Sequence, residues 1–220
     1  MFYSKLKTIL GELGEFSPSE DGRRTIYTKN NPESLLIVVV DHLNLATAIE
    51  GRSKKEEIDL ISKYAVTLRN QCGVTFFILM QENRNSASTE SRKMELTECS
   101  SEGISDSSAP FQDCEICLGV YYPLKFKIKT CRGYPIIVDG NPNFQGLRGR
   151  FRSVQLIKNR QGESEKAIPV NFFGEINYFR ELPKADEISD YTPYLHLTTN
   201  EEKEDEVVEE QPKKEITFEF

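Results

Sequence analysis

The sequence predicts an α/β fold on a mainly parallel sheet, and three stretches predict it. Residues 35–41, LLIVVVD, form an apolar run that ends in an acid. From Ser53 onward Ile58, Ile61, Ala65, Leu68 and Cys72 recur at three- and four-residue steps, the period of a helix with one apolar stripe, and Gly73 follows them. Residues 76–84, FFILMQENR, are a second apolar run that ends in polar residues. A parallel return needs a connection of a dozen residues or more, so strand, helix and strand at this spacing give two parallel strands joined by a right-handed crossover. Their carboxyl ends share the edge where open α/β sheets bind ligands.

Each further element follows in order. Leu6, Ile9, Leu10 and Leu13 lie at helical spacing and predict a short amphipathic helix over residues 5–13, with a polar connector from residue 17 to residue 32. Ser53 with Glu56 three residues later is a capping-box start for the crossover helix. Residues 83–108, rich in Ser, Thr, Glu and Asn, read as a loop, and a buried strand returns at 116–122. Residues 123–149 read as an excursion holding a hairpin, with turns at 133–135 and 139–142. A meander closes the folded part: 151–157, a turn over 159–163, 167–173 and 178–182.

Length and composition bound the rest. The 220 residues suit one domain of ordinary size, and 38% apolar residues with 13 Phe and 9 Tyr supply a core. No apolar stretch approaches the roughly 20 residues that cross a bilayer, and no signal-peptide pattern opens the chain, so a cytoplasmic protein without membrane contact is expected. Five cysteines, an odd number, argue for reduced thiols. Cys114 and Cys117 form a C-x-x-C pair flanked by Cys99 and Cys131, which raises a four-thiolate zinc site as one reading. Cys114 at a helix end and Cys117 inside a strand favour the other, free thiols packed as small hydrophobes. Of the net charge of −7, −6 falls on residues 200–220, where nine acids face three lysines. Such a run reads as a solvated acidic tail, here ending in the alternating apolar Ile216, Phe218 and Phe220.

The order of motifs carries a family resemblance. VVVDHLNL, ILMQENR, DSSAPFQDCEICL, RFRSVQLIKNRQGE and VNFFGE follow one another as in the carboxyl-terminal half of the RecA-like motor domain of DnaB-type replicative helicases, especially phage-encoded ones. The resemblance implies a RecA-like, P-loop NTPase type of fold over residues 35–183, incomplete at its amino-terminal side. Residues 1–34 are then a helix and connector, and residues 184–220 a linker and disordered tail.

Carried over residue by residue, the resemblance makes Asp41 the Walker B carboxylate, holding Mg²⁺ through water beside ATP. Gln81 matches the γ-phosphate sensor, and Arg84 completes its Q-x-N-R pattern, where it would bridge a phosphate or hold the site's carboxylates. Lys158 and Arg160 match the pair that enters a neighbouring subunit's ATP site, as cations at a hairpin tip can neutralise charge on a transferring phosphoryl group. Single-stranded DNA is expected at the hydroxyls of Ser105, Ser107 and Ser108 and along Arg148, Arg150 and Arg152, which alternate onto one strand face. The Arg-Glu-x-Gly element of bacterial relatives is replaced here by Ser105, Asp106 and Ser108. Expected partners are a homo-oligomeric ring or a complementing helicase half, with primase as a further candidate.

One motif is missing from the set. The 220 residues contain no G-x-x-x-x-G-K-[ST] phosphate loop, and only about 34 residues precede the first strand, too few for the strand, loop and helix that carry one. Two readings follow. In the first the chain is part of an ATP-dependent helicase that acts only with a phosphate-loop-bearing half, leaving apolar strand surface bare when alone. In the second it is a non-catalytic helicase-like protein that binds a helicase or single-stranded DNA.

Overall fold

Secondary structure in the computed structural model begins where the apolar period says it should, and the structure describes residues 2–47, 51–81, 98–103 and 107–197. The expected amino-terminal helix is α1, Phe2–Leu13. A hairpin follows it where a connector was expected: β1, Gly14–Pro18, pairs antiparallel with β2, Thr25–Lys29. Phe16 and Tyr27 face each other across this register with ring centroids 4.8 Å apart, and the Tyr27 hydroxyl donates to Leu10 O at 3.0 Å. The hairpin is thus held by two aromatic residues that polar neighbours masked in the sequence.

Strand β3, Ile37–Val40, and strand β4, Thr75–Ile78, are parallel and in register from Ile37 opposite Thr75 to Val40 opposite Ile78. Between them runs α2, Lys54–Cys72. Ser53 caps it: its Oγ accepts from Glu56 N–H at 3.3 Å, and the Glu56 carboxylate accepts from Ser53 N–H at 2.7 Å. These bonds hold the Glu56 carboxyl below its usual pKa. At the other end Gly73 takes φ +65° and its N–H donates to Arg69 O, the left-handed stop that favours glycine. The covered side of the strand pair forms a core in which Leu10, Leu68, Cys72 and Val74 are buried against Leu36, Val38 and Phe76.

The second side of the pair is bare. Ile37, Val39, Phe77 and Leu79 alternate with the covered residues, and Val39 and Phe77, opposite each other in the register, are 63% and 57% exposed. Parallel strands are ordinarily covered on both faces, so this is an unusual surface for two of them.

The remaining helix, α3, is Ala109–Asp113, and β5, Ile116–Tyr121, follows it. Strand β5 is not buried on both sides as expected: Gly119 and Tyr121 are buried, whereas Ile116, Leu118 and Val120 are each more than half exposed. A short hairpin, β6 Thr130–Cys131 and β7 Tyr134–Pro135, turns at Gly133 where expected. Strands β8 Phe151–Asn159, β9 Lys166–Phe173 and β10 Tyr178–Glu181 form the meander, in a sheet of order β10-β9-β8-β5.

The parallel part of the protein is therefore two strands, and the expectation of a mainly parallel sheet is corrected to a mixed α/β fold. The chain divides into two compact units: residues 1–121 with 154–167, and residues 122–153 with those from 168 onward. In the second, Tyr134, Ile136, Leu147, Phe151, Phe173, Leu182 and Ile188 are buried. Residues 185–195, expected as linker, make two 3₁₀ turns fastened to this unit: Asn171 Nδ2 donates to Tyr194 O, and Tyr191 stacks on Phe144 at 5.7 Å. The acidic run beyond residue 197 lies outside the described residues.

Candidate functional site

Asp41 follows the last residue of β3, and Gln81 lies three residues beyond the end of β4, so both stand on the carboxyl edge of the parallel pair, as expected. The turn after β3 is stitched to the end of β4. Leu79 N–H donates to Val40 O at 3.0 Å, Leu43 N–H to Leu79 O at 2.9 Å, and Gln81 N–H to Asn44 Oδ1 at 2.7 Å. Asn44 thereby fixes the backbone that carries Gln81, a role that no local sequence signal marks. The Asp41 carboxylate is exposed, and a lone strand-tip acid of this kind fits a water-mediated share of a Mg²⁺ shell completed by phosphate oxygens. Among the described residues no three His, Cys, Asp or Glu side chains cluster for a metal, and the four-cysteine zinc reading falls with them. Arg84 and Ser105 lie outside the described residues.

Lys158 and Arg160, at the end of β8 and in the turn after it, both bind their own chain. Lys158 Nζ donates to Phe111 O at 2.6 Å and Gln112 O at 2.9 Å, carbonyls near the end of α3. Arg160 Nη2 donates to Gln112 O at 2.6 Å, and its Nη1 lies 3.3 Å from Glu115 Oε1. Glu115 also takes Arg69 Nη1 at 2.9 Å, so one carboxylate holds two guanidinium groups. Arg160 stays about half exposed, whereas the Lys158 ammonium is saturated by carbonyls. Sequence reading missed Glu115 because its partners are distant in the chain.

The serines differ in the same way. Ser107 is 6% exposed and its hydroxyl donates to Asp59 Oδ1, while its Oγ accepts from Ala109 N–H at 3.1 Å. This corrects the expectation that Ser107 offers its hydroxyl to phosphate: the group ties the loop to α2. Ser108, by contrast, is exposed, and Gln112 Nε2 reaches it only at 3.4 Å. Asp113, matched to the family motif, accepts from Ser62 at 2.7 Å and is structural.

Beside this cluster the Cys114 thiol is lowered to about 7 by its hydrogen bond with Cys117, with Lys158 nearby adding to the effect. The same bond, with burial, pushes Cys117 up.

The three arginines do not share a strand face, because β8 begins at Phe151 and Arg148 and Arg150 precede it. They instead line one open cleft of about 770 Å³. Arg150 pairs with Glu175 at 2.7 Å. Arg152 lies with its guanidinium 3.7 Å from the Tyr122 ring centroid.

No family model and no curated protein matches the sequence. Among solved structures, the chain is similar to an isolated ATPase domain of a DnaB-like replicative helicase, with a TM-score of 0.55 and 17% identity, over 83% of this chain and 50% of that one. It is similar to a second DnaB-like replicative helicase, described with its interactions with primase, with the same TM-score and identity, over 83% of this chain and 35% of that one. The chain thus spans half or less of the length of these structures. What these 220 residues share with the ATPase domains of DnaB-like replicative helicases is their fold.

Proposed function

We propose that the chain is the distal part of a RecA-like replicative-helicase motor, completed by a phosphate-loop-bearing segment that is either upstream in the same polypeptide or a separate chain. The observation that carries this reading is the one-sided β3–α2–β4 unit. Its acid and amide stand on the ligand-binding edge while Ile37, Val39, Phe77 and Leu79 lie bare on the opposite face from α2. In the completed motor Asp41 orients Mg²⁺ through water, Gln81 senses the γ-phosphate of ATP, and Arg84 supports the phosphates. Arg160 acts on the ATP site of a neighbouring ring subunit, leaving Glu115 to do so, and Lys158 holds the base of the finger. Single-stranded DNA is the substrate of translocation, with Ser105, Ser108, Arg150 and Arg152 on its path, and primase is the natural partner of such a ring. The bound Mg²⁺ would supply charge neutralisation on the phosphates; the chain's own part is positioning.

The test is to sequence the DNA upstream of Met1, express any strand–GxxxxGK[ST]–helix segment found there with this chain, and measure ATP hydrolysis. Activity is expected only from the joined parts. Asp41→Asn and Arg160→Ala should each lower kcat by about 100-fold or more, the range that removal of metal or finger groups produces. A joined complex whose hydrolysis ignores both substitutions would overturn the reading.

One observation favours a second reading, a non-catalytic binder of a helicase or of single-stranded DNA. Both finger cations are already engaged by the chain's own α3 carbonyls and Glu115. In that case Asp41→Asn changes nothing in a partner's hydrolysis.

A further inference from the structure

The cleft in the second unit holds charge that the protein does not balance. Arg148, Arg150 and Arg152 line it with a single acid, Glu175, which Arg150 already occupies at 2.7 Å. Among the described residues neither Arg148 nor Arg152 has an ion-pair partner. Arg152 is half-buried: its Nη1 donates to Gly149 O at 2.8 Å and Phe151 O at 2.7 Å, and its plane lies against Tyr122 and, at 5.4 Å, Phe172. Burial pulls its pKa below the usual arginine value. A guanidinium held half out of water without a carboxylate is unfavourable unless an anion completes it.

The backbone around it is built for the purpose. Arg148 sits at φ +43°, a left-handed conformation that non-glycine residues seldom adopt outside sites that need it. Two residues earlier Gly146 sits at φ +93°, and a Cβ there would lie 2.4 Å from Ile136 O, so glycine is required for the turn that delivers Arg148 to the cleft. The volume, about 770 Å³, is within the range of small-ligand sites.

We propose that this cleft binds phosphate groups, with Arg148 and Arg152 as the ligand-contacting cations and Arg150, paired to Glu175, as a fixed wall. Planar guanidinium forks match phosphate oxygens, and a strand backbone or a free nucleotide would present the same chemistry. The strand source deepens the helicase reading and rests on it; the phosphate chemistry rests on the geometry of the cleft alone.

The experiment uses the full chain and three probes: a fluorescein-labelled dT20 strand by anisotropy across a salt series, and ATP and pyrophosphate by calorimetry. Arg148→Glu and Arg152→Lys are each expected to weaken dT20 by about 5-fold or more, and Arg148→Glu to reduce the salt slope by about 1. Lys129→Ala, which removes one charge outside the cleft, should change affinity by less than about 2-fold. Arg148 is an exposed turn residue, so its variant reports even if Arg152→Lys disturbs packing; thermal melts verify folding. Arginine-dependent binding of ATP and pyrophosphate without dT20 supports the site and assigns it to nucleotide. Failure of all three probes, or dT20 binding that Arg148→Glu leaves intact, overturns the proposal. Binding through Arg148 by a chain that gains no ATPase activity with a phosphate-loop segment would sink the motor reading and leave the cleft standing.

Discussion

The two faces of the β3–β4 pair differ more than any other two regions of the molecule. On one, Val38 and Phe76 pack against a core of Leu10, Leu68, Cys72 and Val74; on the other, Val39 and Phe77 meet no such layer. The strands have the same apolar composition on both sides, so composition did not decide which side is covered; the helix crossover did. The face opposite α2 therefore keeps the sequence of an interior and the exposure of a surface.

The strongest way to break the comparison is at Leu68, 1% exposed on the covered side. Leu68→Ala should cost about 2–5 kcal/mol, read as a lower urea midpoint, because a cavity opens between α2 and the strands. A loss under about 1 kcal/mol would mean that the covered core is loosely packed. Ser53→Ala removes the Oγ that accepts from Glu56 N–H and should cost about 1 kcal/mol in the same assay. On the bare side, Phe77→Ser should change stability by no more than about 0.5 kcal/mol and raise the solubility limit of the chain. A loss above about 1 kcal/mol there would show that the face is already packed in solution.

Thiol chemistry sharpens the contrast without altering stability. Cys72, 3% exposed, is held up by burial, so its thiolate is both scarce and hidden. Cys114 should take iodoacetamide with a midpoint near about 7, since the reactive thiolate is present above its pKa and absent below it. Cys117→Ala deletes the hydrogen bond that holds the thiolate and should move the midpoint up toward the ordinary cysteine value of about 8.5. Labelling of Cys72 as fast as Cys114 at pH 7.5 would contradict the burial difference.

Local grammar explains which parts of this architecture the sequence made legible. Ser53 with Glu56, the stripe from Ile58 to Cys72, Gly73, and the meander from Phe151 each rest on neighbours a few residues away, and each stands where it was expected. What escaped rests on distant partners. The β1–β2 hairpin needs Phe16 against Tyr27, the 185–195 turns need Asn171 and Phe144, and the finger cations need Glu115. Among the site residues, the edge positions of Asp41 and Gln81 were readable from strand ends, whereas the burial of Ser107 against Asp59 was not.

The bare face also has a consequence for supply. A folded chain that displays Ile37, Val39, Phe77 and Leu79 carries the surface that chaperones and proteases read as unfinished. Surplus copies would be cleared and covered copies would persist, so the cellular amount of this polypeptide would follow the amount of whatever shields that face. Its gene dosage would then have little influence of its own.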